Sequence, residues 1–412
     1  MAVGHVGRNE KMIKRIIYLR ETHFSFPKNR STCIDLLKQN GFQVEIWDLM
    51  PILHPEFLKN YTYPHSYQHD ELTVFHDKQK AYQALSGLGE SDFVINDVSY
   101  LYWNLGVYRA LSRSEASYAV FYANAVPIYK DARKELFKKK FKLLFSFKRV
   151  NSKFLVLWKK LFMRLPFQWL GIRPAGLILA GGEECFSYRY PVDKHTKVLQ
   201  IHASDYDLYL REREKPGTIK PTAVFIDEFL PFAHDSLFDG RGIPISAEKY
   251  YPLLNSFFDR VEEKTGLKVV IAAGPRSHYE DLPNYFHGRE CVRGKTVDLI
   301  KESTLVLAHR STAVSFANLY EKPVIFLTCS DLDKQCDGGE IKEMAKWFGK
   351  EPINMENSHD MNWKEELTVS KNHYDRYRRA YIKATGSPEL PFWQVENKSS
   401  DTAKAKTGIR AG

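Results

Sequence analysis

Asp227 and Glu228 close the apolar run TAVFI, two adjacent carboxylates at the end of what reads as a buried strand. A carboxylate at a strand end beside a cleft suits general-base work on a hydroxyl. Other strand ends in the same half carry matching polar groups. After TLVLA come His309, Arg310, Ser311 and Thr312, running into the helical pattern AVSFANLY. Hydroxyls and free amides at a helix start form a seat for a phosphate, strengthened by the helix dipole. After KVVIAAG come Pro275, Arg276, Ser277 and His278, where an arginine can clamp a phosphate or carboxylate with two parallel hydrogen bonds. Lys295 and Thr296 begin the helical stretch VDLIKES, with Thr296 near the same ligand. In the first half, Arg20, Glu21 and His23 follow RIIYLR and Asp97 ends DFVIND, placing them on the opposite, acceptor side of the cleft.

Each group also has a plainer reading, as a helix cap, a surface arginine or a solvated loop carboxylate. Two tempting sites fail on spacing. Gly288 and Gly294 are separated by five residues where a phosphate-cradling P-loop needs four, and no strand directly precedes them. His65, His69, Asp70 and His76 fall in a Tyr-rich polar loop without the spacing of a metal centre, so no metal is expected.

The elements that must position these residues alternate regularly. Short β-branched or aromatic runs (15–20, 43–49, 92–97, 118–127, 176–182, 197–210, 222–231, 268–275, 304–311, 323–328) are spaced by helical stretches such as 30–40, 104–117, 248–265 and 295–303. Strands apolar on both faces and separated by helices predict parallel α/β sheets. EREKPGTIKP, 212–221, breaks the rhythm with charge, Gly and two prolines. The expected architecture is two Rossmann-like domains, 1–211 and 222–392, facing each other across a cleft, with a disordered tail over 393–412.

At 412 residues, 43% hydrophobic and 27% charged, the chain is long enough for two domains and excludes a disulfide miniprotein or a mainly disordered chain. Five cysteines without a Cys-x-x-Cys pair read as a reducing cytoplasm, and no run is apolar enough to span a membrane. The charge is uneven. Between Arg133 and Arg164 twelve basic residues meet one acid, so this stretch carries +11 and the rest of the +10 chain sums to −1. Phe137, Phe141, Phe145, Phe147, Phe154, Trp158 and Phe162 interleave with those charges, and Phe167 and Trp169 follow. A basic amphipathic insertion of about 133–170 is expected to lie on an anionic membrane surface, each Lys or Arg adding ~1 kcal/mol. A solvated basic helix is the bland alternative. Nucleic acid is not expected, since the rest of the chain is near neutral and shows no such binding motif.

Taken in chain order, Asp227-Glu228, Gly274-Pro275 and Ser311-Thr312, followed by KPVIFLT, resemble the acidic, His-Pro and Ser/Thr motifs of bacterial sialyltransferases and capsule 3-deoxy-octulosonate transferases, which are GT-B glycosyltransferases of surface polysaccharide biosynthesis. The resemblance implies an inverting, metal-independent transfer from a CMP-activated 3-deoxy-ulosonic sugar to a glycan or lipid-linked acceptor at the inner face of the cell membrane. It makes an acidic residue the general base and puts the Ser/Thr pair on the donor phosphate; no cofactor is implied beyond the nucleotide-sugar substrate. Two positions differ from the motifs: Phe229 stands where Gly is usual and Gly274 where His is expected. His278 or His309 then takes the histidine's role, Arg276 supplies the charge instead, or activity is impaired. The same architecture serves UDP-sugar transferases and sugar-nucleotide epimerases, and a non-catalytic membrane-binding protein on this fold is the remaining alternative.

Overall fold

The computed structural model describes residues 13–22, 34, 37–55, 70–122, 126–127, 165–186, 189–232, 243–274 and 277–391. Their strands form two wholly parallel sheets. The first contains β1 (Arg15–Arg20), β2 (Gln43–Asp48), β3 (Leu72–Val74), β4 (Asp92–Asp97), β5 (Ser117–Tyr122), β6 (Leu177–Ala180) and β7 (Lys197–Gln200), in the order β3-β2-β1-β4-β5-β6-β7. The second contains β8 (Thr222–Ile226), β9 (Lys268–Ala273), β10 (Cys291–Arg293), β11 (Leu305–Ala308), β12 (Val324–Thr328) and β13 (Ile353–Asn354), in the order β10-β9-β8-β11-β12-β13.

Both orders reverse direction once, between β1 and β4 and between β8 and β11. In open parallel sheets ligands settle outside the carboxyl ends of the strands at such a switch point. The central strands are buried along nearly their whole length, as the apolar runs require. Helices cover them, including Leu105–Arg113 on the first sheet and Ala247–Thr265 on the second. The sequence expectation of an α/β fold built on two Rossmann-like parallel sheets is met.

The chain returns to the first sheet at its end. Lys371–Tyr377 is α-helical and passes into a π-helical turn, Arg378–Ile382. This turn docks on the carboxyl ends of β6 and β7: Glu183 and Glu184 donate amides to the Arg379 and Ala380 carbonyls (3.0 and 2.8 Å), and Ala203 donates to Ile382 (2.7 Å). Gly182 permits this approach, since a Cβ there would lie 2.3 Å from the Ala380 carbonyl oxygen.

Three readings change in detail. The run 197–210 is a short strand followed by the helix Ser204–Glu212, whose first turn holds Asp205 and Asp207 where the helix dipole favours them. The strand expected over 118–127 ends at Tyr122. Edge strands β3, β10 and β13, two or three residues long, were not expected, being too short to show a period. The expected insertion at about 133–170 falls largely outside the described residues, as does the whole of the expected tail, 393–412.

Candidate active site at the carboxyl ends of β8 and β11

Strand β8 delivers Asp227 and Glu228 to the switch point, and β11 delivers His309 and Arg310 beside them. Asp227 is 3% exposed. Its Oδ1 accepts the Phe229 amide (3.1 Å) and its Oδ2 accepts the Tyr279 hydroxyl (2.8 Å). Because the Tyr279 proton is committed to Asp227, the Tyr251 hydroxyl 3.0 Å away donates to Tyr279. Burial pushes the Asp227 carboxyl up to about 7, the Tyr279 and Phe229 hydrogen bonds offsetting only part of that rise.

Phe229 pays for this turn with a left-handed backbone, φ 56°, a conformation glycine takes freely and a bulky residue avoids. The resemblance places Gly at this position. Phe229 is held there by the Asp227 bond and by Phe232, His278 and Tyr279, whose rings lie 4.8, 5.0 and 5.0 Å from its own. At Gly274, where the resemblance expects His, a Cβ would sit 3.2 Å from the Asp227 carbonyl oxygen, so the backbone leaves little room for a side chain.

Glu228 reaches further out, its side chain 16% exposed. Its Oε1 accepts the Arg310 amide at 2.7 Å, and its Oε2 lies 4.0 Å from the Arg310 guanidinium. Burial raises its pKa; the Arg310 charge and the amides of Arg310 and Ser311 pull the other way. The guanidinium also pairs with Asp337 (2.8 Å) and, more closely, with Glu340, both at the start of the helix Cys336–Trp347.

These contacts correct two expectations. The amides expected to seat a phosphate hold the Glu228 carboxylate instead, because β8 and β11 are neighbours and bring that anion onto them. His309, expected to offer a donor or charge to a ligand, is completely buried. Its Nδ1 donates to the Leu327 carbonyl (2.6 Å) and its Nε2 accepts the Tyr250 hydroxyl (2.9 Å). Burial drops its pKa to about 4, so it is a neutral core residue. Ser311 is half-buried and Thr312 exposed, and both remain available at the site rim.

His278 is exposed after β9; Lys295 is exposed and Thr296 half-buried after β10, two strands from β8 and so about 10 Å away. Pro275 and Arg276 lie outside the described residues. In the first sheet Arg20 and Asp97, paired in register on β1 and β4, form a close ion pair across that switch point. Glu21 is an organiser: it accepts from the Ser99 amide (2.7 Å) and Asn104 (2.9 Å) and pairs with His54 (3.0 Å). Burial alone would raise its pKa, but these bonds together hold it below the usual range. His23 lies outside the described residues. Tyr279, Tyr251, Asp337 and Glu340 went unread in the sequence, since nothing local ties Tyr279 to a carboxylate 52 positions earlier. The Gly338-Gly339 pair inside a helical stretch was the one available signal, marking a close approach: a Cβ on Gly338 would lie 2.5 Å from the Asp333 Cα.

No family model matches the sequence, and no curated protein matches it. Among solved structures the chain is similar to the calicheamicin glycosyltransferase CalG4, at 12% identity over 90% of this chain and 93% of that one, with a TM-score of 0.48. It is similar also to the wall teichoic acid polymerase TagF (12%, 90% and 85%, 0.49) and to the UDP-GlcNAc 2-epimerase from Methanocaldococcus jannaschii (11%, 89% and 99%, 0.40). Likenesses this remote decide neither activity nor substrate; the fold rests on the two sheets themselves.

Proposed function

We propose that this chain is an inverting glycosyltransferase that uses a nucleotide-sugar donor, with a CMP-activated 3-deoxy-ulosonic acid as the favoured donor and a surface glycan or lipid-linked saccharide as acceptor. The observation that supports it most is the Asp227–Glu228 pair at the β8/β11 switch point, with Glu228 held by Arg310. Glu228 is the carboxylate an acceptor hydroxyl can reach; it takes the proton as the hydroxyl oxygen bonds to the anomeric carbon. The bond from that carbon to the donor phosphate breaks, and the electron pair leaves with the nucleotide. Ser311, Thr312, His278, Lys295 and Thr296 meet the phosphate, Arg276 joining them in this reading. Asp227 stands behind Glu228 and fixes the turn that presents it. No step is assigned to a metal.

The 133–164 stretch, outside the described residues, is assigned to an anionic membrane surface at the cytoplasmic face, where lipid-linked acceptors reside. No helix among the described residues is long and apolar enough to cross a membrane. Flotation on vesicles with and without acidic lipid tests this assignment; equal recovery in the unbound fraction on both would remove it.

The catalytic reading is tested by nucleotide release from CMP- and UDP-linked sugars in the presence of glycan acceptors. Release that depends on Glu228 supports it, and CMP over UDP fixes the donor class. No release from any of these donors would refute it.

A further inference from the structure

Arg310 leaves β11 with three carboxylates around its guanidinium, and the proposed chemistry uses only one of them. Its Nε stands 4.0 Å from Glu228 Oε2, beyond hydrogen-bond reach. Its Nη2 lies 2.8 Å from Asp337 Oδ1, and its Nη1 touches Glu340 Oε2. The helix Cys336–Trp347 arranges this. Asp337 and Glu340 are three residues apart and so share a face, and Asp337 sits in the first turn, where the helix dipole favours an anion. Gly338 lets that turn press on the preceding chain, where a Cβ would lie 2.5 Å from the Asp333 Cα.

A guanidinium in contact with a carboxylate lowers its pKa by about 1–3, and a carboxylate held so low takes a proton from a hydroxyl poorly. Asp337 and Glu340 divert that contact. Glu228 is left with the Arg310 amide on Oε1, 2.7 Å away, and the guanidinium at arm's length. The groups facing Glu228 act in both directions. Arg310 lowers its proton affinity, whereas Asp337 raises it. Asp227, on the same loop, is itself pushed up to about 7. Tyr250, from the helix Ala247–Thr265, stays protonated through burial and is hydrogen-bonded to the neutral His309. The buried Asp337 Oδ1 forms no aligned hydrogen bond, so its contact with Arg310 is one of charge. An amide at position 337 therefore removes the charge and little else.

We propose that Asp337 and Glu340 are positioning residues: by holding two nitrogens of Arg310 they keep its guanidinium off Glu228, which stays basic enough to take the acceptor proton. The role of Glu228 rests on the glycosyltransferase reading, but its protonation is measurable without any sugar. Carbodiimide coupling of glycinamide to the full chain over about pH 4–8, followed by peptide mass spectrometry with fragmentation to resolve Glu228 from Asp227, reads it. In Asp337→Asn and in Glu340→Gln the half-point of Glu228 modification is expected about one pH unit below that of the parent chain. Glu340→Asp, which keeps the charge, is expected to restore the parent value. The acid limb of sugar transfer should move with the half-point, a change that lost packing alone would not give. A half-point unmoved in both charge-removing variants, or moved to higher pH, overturns the proposal. A lowered half-point in a chain that transfers no sugar keeps the arrangement and removes the glycosyltransferase reading; Glu228-dependent transfer with an unmoved half-point does the reverse.

Discussion

The Glu228 carboxylate sits on the Arg310 backbone amide, 2.7 Å away, bridging the two strands between which the second sheet reverses its order. One contact therefore joins the candidate base to the segment expected to meet the phosphate. Glu228→Gln keeps the shape and an acceptor oxygen but cannot take a proton. Sugar transfer is expected to fall by about 10²–10⁴-fold with the thermal midpoint little changed. Initial rates alongside a melting curve check this; an unaltered rate would move the base elsewhere.

Asp227 and His309 give opposite pH dependences of stability. Burial lifts Asp227 from its ordinary 3.8 to about 7, so the folded chain holds that proton more tightly than the unfolded one. Its contribution is full below about pH 4 and is lost as the pH rises towards 7. Burial lowers His309 from 6.5 to about 4, so its contribution is full above about pH 6.5 and is lost as the pH falls towards 4. On acidification through this window, Asp227→Asn should lose stability more steeply than the parent chain and His309→Gln less steeply. Denaturant unfolding at a series of pH values measures the slopes, and three parallel curves would contradict the assignment.

Phe229 sets backbone strain against packing. Its left-handed conformation costs about 1–2 kcal/mol, whereas deleting a buried Phe side chain costs about 3–5 kcal/mol. Phe229→Gly is therefore expected to destabilise the fold around the second sheet by a net few kcal/mol, even though glycine suits the backbone. A stabilised variant in equilibrium unfolding would show that the aromatic cluster contributes little.

Gly182 is where the returning segment meets the first sheet. Any side chain there collides with the Ala380 backbone rather than with a flexible group. Gly182→Ala is expected to loosen the Arg378–Ile382 dock, lowering the midpoint and splitting the unfolding transition in calorimetry. A single transition at the parent temperature would mean that the dock is not tight.

The sequence carried the two-sheet plan because period and burial agree in the long runs: TAVFI, KVVIAA, TLVLA and PVIFLT all became central strands. The strand-end positions of Asp227, Glu228 and Arg310 were legible for the same reason, each following such a run, but the Arg310 guanidinium expected to meet a ligand is spent on Asp337 and Glu340. What the chain could not disclose locally was competition between its own groups. Glu228 occupies amides that look free in sequence, and His309 spends both ring nitrogens on Leu327 and Tyr250, residues 18 and 59 positions away. The Asp227–Tyr279–Tyr251 chain likewise exists only because β8, β9 and the helix Ala247–Thr265 pack together.

Equilibrium titration with CMP, UDP and GDP, followed by thermal unfolding, tests the nucleotide site most directly. A nucleotide in hundredfold excess over its dissociation constant adds about 2.7 kcal/mol to stability. A saturable rise in midpoint with CMP, weakened by replacing Ser311 and Thr312 with alanine, is the expected result. Unchanged melting in all three nucleotides at concentrations well above the millimolar range would contradict it.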